Sequence, residues 1–119
     1  SFGDMGVAQQ TIHNQISVTS KRKVEKMEFR TTIQVNEWHV YSVEWTPTKL
    51  TFLVDNKITG VFYKSKDKLL LNQGQWTFDR PFYLILNQSV GDGKSDNLRV
   101  STNHSYETQF DWVRVYKII

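Results

Sequence analysis

The chain contains no cysteine among its 119 residues. A disulfide framework and a thiolate metal site are therefore excluded. The absence suits a cytosolic protein and an exported bacterial one equally well. No stretch approaches the roughly 20 apolar residues of a membrane-spanning helix. Charge of one sign is not in large excess: 15 basic and 12 acidic residues leave +3, too mild a balance to argue for nucleic acid. The only basic run, Lys21-Arg22-Lys23, reads as a solvated turn. No histidine or cysteine cluster has zinc spacing. Neither a glycine-rich phosphate loop nor a nucleophile elbow occurs. No signal peptide is visible, but Ser1 is not an initiator Met, so that absence carries no weight.

Helical periodicity is nearly absent too. In its place are short β-rich runs separated by turn residues, which predict an all-β, antiparallel sandwich. From Ala8 to Val18, Ile12, Ile16 and Val18 point one way, and Gln9, Thr11, His13 and Gln15 the other. Val24 to Val35 is the next extended stretch. Trp38 to Trp45 is a strand with His39, Tyr41, Val43 and Trp45 on one face. A turn at Pro47 leads to a strand from Leu50 to Val54, a hairpin tip at Asp55-Asn56 and a return from Ile58 to Tyr63. Residues 64–75 read as a loop with one helical turn at Leu69-Leu70-Leu71. Phe82 to Val90 and Thr108 to Ile118 carry apolar residues on both faces and are expected to be buried central strands. Between them, residues 91–105 form a long loop with two Gly and two Asp. His39, Trp45 and Trp112 alternate with apolar residues and are expected in the core.

Aromatic residues make up 13% of the chain, with four Trp. Such rings fill sandwich cores and also serve as platforms for sugar rings. The stretch from Trp76 to Gly91 joins an apolar middle, Phe82 to Leu86, to a ring at Trp76 and amides at Asn87 and Gln88. A core strand that delivers amides to its edge reads as the floor of a binding cleft. The residues alone equally allow amides that merely cap backbone groups.

Trp76-Thr77-Phe78-Asp79-Arg80-Pro81-Phe82-Tyr83-Leu84-Ile85-Leu86-Asn87 and the Val90-Gly91 that follows resemble a block of glycoside hydrolase family 16, the laminarinase- and lichenase-like endo-glycanases. Trp38-His39-Val40-Tyr41-Ser42-Val43-Glu44-Trp45 with Phe52-Leu53-Val54-Asp55-Asn56-Lys57 resembles an earlier hairpin of that family. Phe110-Asp111-Trp112-Val113-Arg114-Val115-Tyr116 resembles its closing strand. Residues 1–37 match only weakly, through Gln10-Thr11-Ile12-His13.

The resemblance implies a concanavalin A-like, two-sheet jelly roll and an enzyme that hydrolyses a polysaccharide by a retaining mechanism. It also implies an extracellular or periplasmic setting. The family's Glu-x-Asp-x-x-Glu signature is missing, since no Glu here has Asp two residues later. Retaining glycosidases need two carboxyls about 5–5.5 Å apart, and no i,i+2 carboxylate pair exists on any strand. The chain is therefore expected to begin at or just after the last catalytic glutamate. Residues 1–119 are expected to form one partial domain, the C-terminal half of the sandwich, inactive alone. Its partners would be a polysaccharide or oligosaccharide and either the N-terminal half or a second copy, with no nucleic acid and no membrane. The alternative is a non-catalytic, lectin-like sandwich.

The resemblance carries His13, Trp76, Asn87 and Gln88 over as substrate-binding residues, and assigns no catalytic residue to this chain. It also implies that Asp111 is one ligand of a structural calcium on the convex face, no other cofactor being required. Calcium wants six to eight oxygens, and one aspartate is not a site.

Overall fold

The alternation of apolar and polar side chains from Met5 onward makes an antiparallel pair. In the computed structural model, which describes residues 5–17, 27–89 and 107–117, β1 (Met5–Thr11) pairs with β2 (Glu28–Gln34) from Met5↔Gln34 to Thr11↔Glu28. The Ile12 N–H donates to Met27 O at 2.8 Å and carries the pairing one step further. A second antiparallel sheet has the order β3 (Tyr41–Trp45), β4 (Lys49–Val54), β5 (Lys57–Tyr63). After β5 comes the short helix α1 (Lys68–Asn72), and residues 15–17 also turn helically. The fold is thus all-β and antiparallel, as the jelly-roll sandwich requires. No helix among the described residues is long and apolar enough to cross a membrane.

The turns follow from local chemistry. Between β3 and β4, Thr46 Oγ1 accepts the Lys49 N–H at 3.1 Å while the Thr46 N–H donates to Lys49 O at 3.0 Å. Between β4 and β5, Asp55 and Asn56 both take positive φ, 51° and 66°. That is the signature of a type I′ hairpin, whose twist matches the flanking strands, and Asp and Asn tolerate it best after glycine. The β4–β5 register shifts between Phe52 and Leu53, so that Thr59 is the extra residue of a bulge. Beside it, a Cβ on Gly60 would lie 2.2 Å from the Phe29 ring. Glycine there lets β2 lay that ring against the second sheet.

The core forms where the sheets meet. Ile12, Met27, Phe29, Leu50, Phe62 and Trp76 are buried together, with Phe52, Leu71 and Phe78 packed on them. Phe62, 1% exposed, stacks on Trp76 with ring centres 6.0 Å apart and planes within 4°. Phe78 meets Trp76 edge-on at 5.2 Å. Rings of this size bury the largest apolar areas, and edge-on or offset pairing adds about 0.5–1.5 kcal/mol each.

The chain divides into two compact units, Ser1–Pro81 and Phe82–Ile119. In the second, the structure departs from expectation. The described parts of the two buried strands, 82–89 and 107–117, have no strand pairing, and every residue in them is exposed. Tyr83 is 96% and Val115 90% exposed. A strand exists only where a neighbour takes up its backbone N–H and C=O groups, and apolar pattern alone supplies no such neighbour.

The expected core positions His39, Trp45 and Trp112 are corrected for the same reason. Trp45 and Trp112 are 43% and 49% exposed, and His39 is half-buried. The Trp45 indole donates to Phe78 O at 2.7 Å, and the Arg114 guanidinium lies 4.6 Å over the Trp112 ring. The 91–105 loop, Val18 and the Lys21-Arg22-Lys23 run lie outside the described residues.

Candidate functional site

The first unit holds an open cleft of about 570 Å³. His13, Asn14 and Gln15 line it from the segment after β1, and Leu71, Asn72 and Gly74 from the end of α1. Trp76, Thr77 and Arg80 complete it. Of the residues proposed from sequence, His13 and Trp76 meet here.

The meeting is set by how α1 starts and stops. Asp67 Oδ1 caps the helix by accepting the Leu69 N–H at 2.9 Å. At the other end, the Gly74 N–H donates to Leu71 O and the Gln75 N–H to Leu70 O, both at 3.1 Å. These are the two bonds of a Schellman motif, which needs a residue of positive φ, and Gly74 supplies φ +90°. A Cβ at Gly74 would also lie 2.5 Å from Gln15 Cβ. The chain after β1 therefore passes directly over this helix end.

Two buried amides fasten that passage. Asn14, 3% exposed, donates through Nδ2 to Gln75 O at 3.0 Å. Its Oδ1 accepts the Ser17 N–H at 2.9 Å. Gln75, fully buried, accepts the Ser65 N–H at 2.9 Å and donates to Tyr63 O at 2.9 Å. Each closes a backbone group that would otherwise be buried and unpaired, at a cost of about 1–3 kcal/mol. With Ile12 and Ile16 buried on either side, the exposed His13 is held at the cleft.

Trp76 is a core residue that reaches the cleft only by its rim. It is 7% exposed, one ring face lies on Phe62, and Phe78 stands against it. Its indole N–H is buried without an acceptor among the described residues. Asn87, Gln88 and Asp111 belong to the second unit, where each is exposed. Among the described residues no three His, Cys, Asp or Glu side chains come together. Asp111 is therefore in no such group among the described residues.

A second polar cluster lies at the β4–β5 hairpin. His39 Nδ1 is 2.7 Å from Asp55 Oδ2, and Nε2 is 2.5 Å from Gln34 O. A carbonyl can only accept, so Nε2 carries hydrogen. When the ring is protonated, Nδ1 donates to the Asp55 carboxylate as well. The hydrogen bond to Asp55 and then that to the Gln34 carbonyl raise the His39 pKa, and the same contact with His39 lowers that of Asp55. Asp55 Oδ1 also accepts the Val40 N–H at 2.9 Å. With both ring nitrogens committed, His39 is a latch between segments and not a free base.

Sequence reasoning missed Asn14, Gly74, Gln75 and Arg80. Gly74 was legible in principle, as a glycine closing a helical turn. The two amides were not, because a polar residue in a loop gives no sign of burial.

The family model described as Glycosyl hydrolases family 16 matches residues 3–114. The match begins near the start of the chain, well before the blocks that carry the resemblance in sequence. The chain is 32% identical over 112 residues to a keratan-sulfate endo-1,4-beta-galactosidase of Sphingobacterium multivorum, covering 94% of this chain and 25% of that protein. A beta-glucanase of Rhodothermus marinus is 32% identical over 87 residues, 68% of this chain and 29% of its own. A glucan endo-1,3-beta-glucosidase A1 of Niallia circulans is 38% identical over 89 residues, 69% of this chain and 12% of its own. The chain thus spans between 12% and 29% of the length of these curated relatives. No solved structure matches it significantly.

Proposed function

Because the chain belongs to glycosyl hydrolases family 16, we propose that it is the C-terminal half of an endo-glycanase domain that hydrolyses a β-linked polysaccharide with retention. The observation that carries this is the cleft where His13 and Trp76 meet, within a chain matched by the family over residues 3–114. In this reading His13 and the rim of Trp76 form part of the cleft wall. Asn87 and Gln88, on the second unit, are the further substrate-binding residues of this reading. The nucleophile and the acid–base come from chain preceding residue 1.

The exposed apolar residues of 82–89 and 107–117 support the same reading. Exposed apolar side chains in such number suit an interface, and the remainder of the sandwich, or a second copy, would cover them. Asp111 would then hold calcium only with oxygens from that remainder. The relatives named above act, by their names, on keratan sulfate and on glucans. An extracellular or periplasmic setting follows from such substrates.

The test is a reducing-end assay on laminarin, lichenan and agarose. The chain alone should give no turnover. The chain joined to a preceding segment bearing Glu-x-Asp-x-x-Glu should cleave one of them, with the anomeric configuration retained by NMR. Turnover by the chain alone after stringent purification would refute the assignment of the carboxylates upstream. Saturable glycan binding by the joined protein, with no cleavage of any substrate, would favour the lectin-like alternative.

A further inference from the structure

We propose that Gln15 is a further ligand-binding residue of the cleft, its side-chain amide seated on Gly74 and reading the hydroxyl groups of a sugar; this rests on the glycan reading above and adds a residue that sets orientation within that site. Gln15 is exposed and lines the cleft, between two buried neighbours, Asn14 and Ile16. Its side chain has a seat. A Cβ at Gly74 would lie 2.5 Å from Gln15 Cβ, 2.9 Å from its Oε1 and 3.4 Å from its Cδ. The side chain therefore follows Gly74 from its root to its amide, through space that the side chain of any other residue at position 74 would fill.

The backbone under this side chain is held as well. The Asn14 N–H donates to Ser17 Oγ at 3.1 Å, the Ser17 N–H to Asn14 Oδ1 at 2.9 Å, and the Ser17 hydroxyl to Asn14 O at 3.0 Å. These bonds close the turn around residues 15 and 16, and Ile16, 3% exposed, anchors it in the interior. A long polar side chain usually makes a poor ligand contact, because binding must first freeze it. Here the seat and the turn order it beforehand, which lowers that cost. The amide offers two donors and an oxygen with two lone pairs, so it can keep a neighbour and still hold a hydroxyl. Sugar hydroxyls both donate and accept, and an amide answers both. Asn72 and Thr77, which line the same cleft, offer the same two roles, and Trp76 adds an apolar rim. A few placed polar groups beside an apolar wall fix a ligand's orientation. Gln73, beside Asn72 in sequence, is exposed but does not line the cleft, and so serves as a control.

The test uses the complete domain, this chain joined to a preceding segment bearing Glu-x-Asp-x-x-Glu, with hexasaccharides from laminarin, lichenan and agarose. Isothermal titration calorimetry finds which of them binds, and the variants are compared on that one. Gln15→Met keeps the length of the side chain and its packing on Gly74 but removes the amide. It should weaken binding about five- to tenfold, as expected for one neutral hydrogen bond lost, with melting unchanged. Gln73→Ala should bind as wild type. In the wild-type protein the Gln15 side-chain NH₂ signals, identified in the NMR spectrum by their absence from Gln15→Met, should shift as the ligand saturates. A purely structural Gln15 would not move them. If Gln15→Met melts lower, the NH₂ shift, read on the wild type, decides the matter. Binding by Gln15→Met within about twofold of wild type, with NH₂ signals that stay in place, would overturn this inference while leaving a glycan cleft. Failure of all three hexasaccharides to bind the wild-type domain would overturn it together with the glycan reading.

Discussion

Replacing Gly74 by alanine tests whether the close passage of the segment after β1 over the end of α1 organises the cleft. Two costs can be separated. Gly74 has φ +90°, a region that alanine enters only under strain, at about 1–3 kcal/mol. Its new Cβ would also fall 2.5 Å from Gln15 Cβ. That atom is fixed to the backbone, so it cannot swing aside, and overpacking of this kind costs about 1–3 kcal/mol more. Gly74→Ala should therefore lose about 2–5 kcal/mol in total. Gly74→Asn should lose less, since asparagine tolerates the left-handed region and meets mainly the collision. Denaturant titration followed by circular dichroism gives both values. Relief of the collision requires the segment carrying His13 to lift away from Trp76, so oligosaccharide affinity should fall in both variants. Gly74→Ala within about 0.5 kcal/mol of wild type, the usual scatter of neutral surface changes, would refute the argument.

Phe62→Ala removes the ring stacked on Trp76 and should cost about 3–5 kcal/mol, read from the same titration, with loss of the near-ultraviolet signal of the packed rings. A cost under about 1 kcal/mol would mean the core collapses around the gap. The His39–Asp55 latch should make stability depend on pH in a definite sense. The raised His39 pKa gives a contribution fully present below the ordinary histidine value and lost as pH rises through the folded value. The lowered Asp55 pKa gives one present above the ordinary carboxylate value and lost as pH falls through its folded value. His39→Gln should melt below wild type near neutrality and approach it as the medium turns alkaline. A gap that stays constant with rising pH would show that the latch is not ionic.

What could be read from sequence divides along physical lines. The Asp55-Asn56 hairpin was legible because two residues that tolerate positive φ stood between β-forming runs, and the structure makes the turn there. The burial of Ile12 and Ile16 with Gln9, Thr11, His13 and Gln15 exposed follows the alternation, but the strand read from Ala8 to Val18 ends at Thr11 and residues 15–17 turn helically. The helical turn at Leu69-Leu70-Leu71 lies within α1. Residues 82–89 and 107–117 failed the same kind of reasoning. Their apolar pattern states what they would bury, whereas a strand requires a neighbour whose presence no pattern within the strand records. Trp45 failed likewise: its alternation with apolar residues predicted burial, yet it is 43% exposed with its indole bonded to Phe78 O. At the cleft, the family resemblance singled out His13 and Trp76. The distance between them depends on Asn14, Gly74 and Gln75, which act through tertiary contacts and leave no periodic trace. Arg80 also lines the cleft, and its residue type alone did not mark it.

The central claim is that the cleft between His13 and Trp76 receives a glycan. It is tested most directly by NMR, following the Trp76 indole N–H and the His13 imidazole in the complete domain. Hexasaccharides from laminarin and from κ-carrageenan would be added in turn. The account predicts saturable shifts of both signals with at least one of these ligands. Signals that stay in place up to millimolar ligand, in a protein that remains folded, would contradict it.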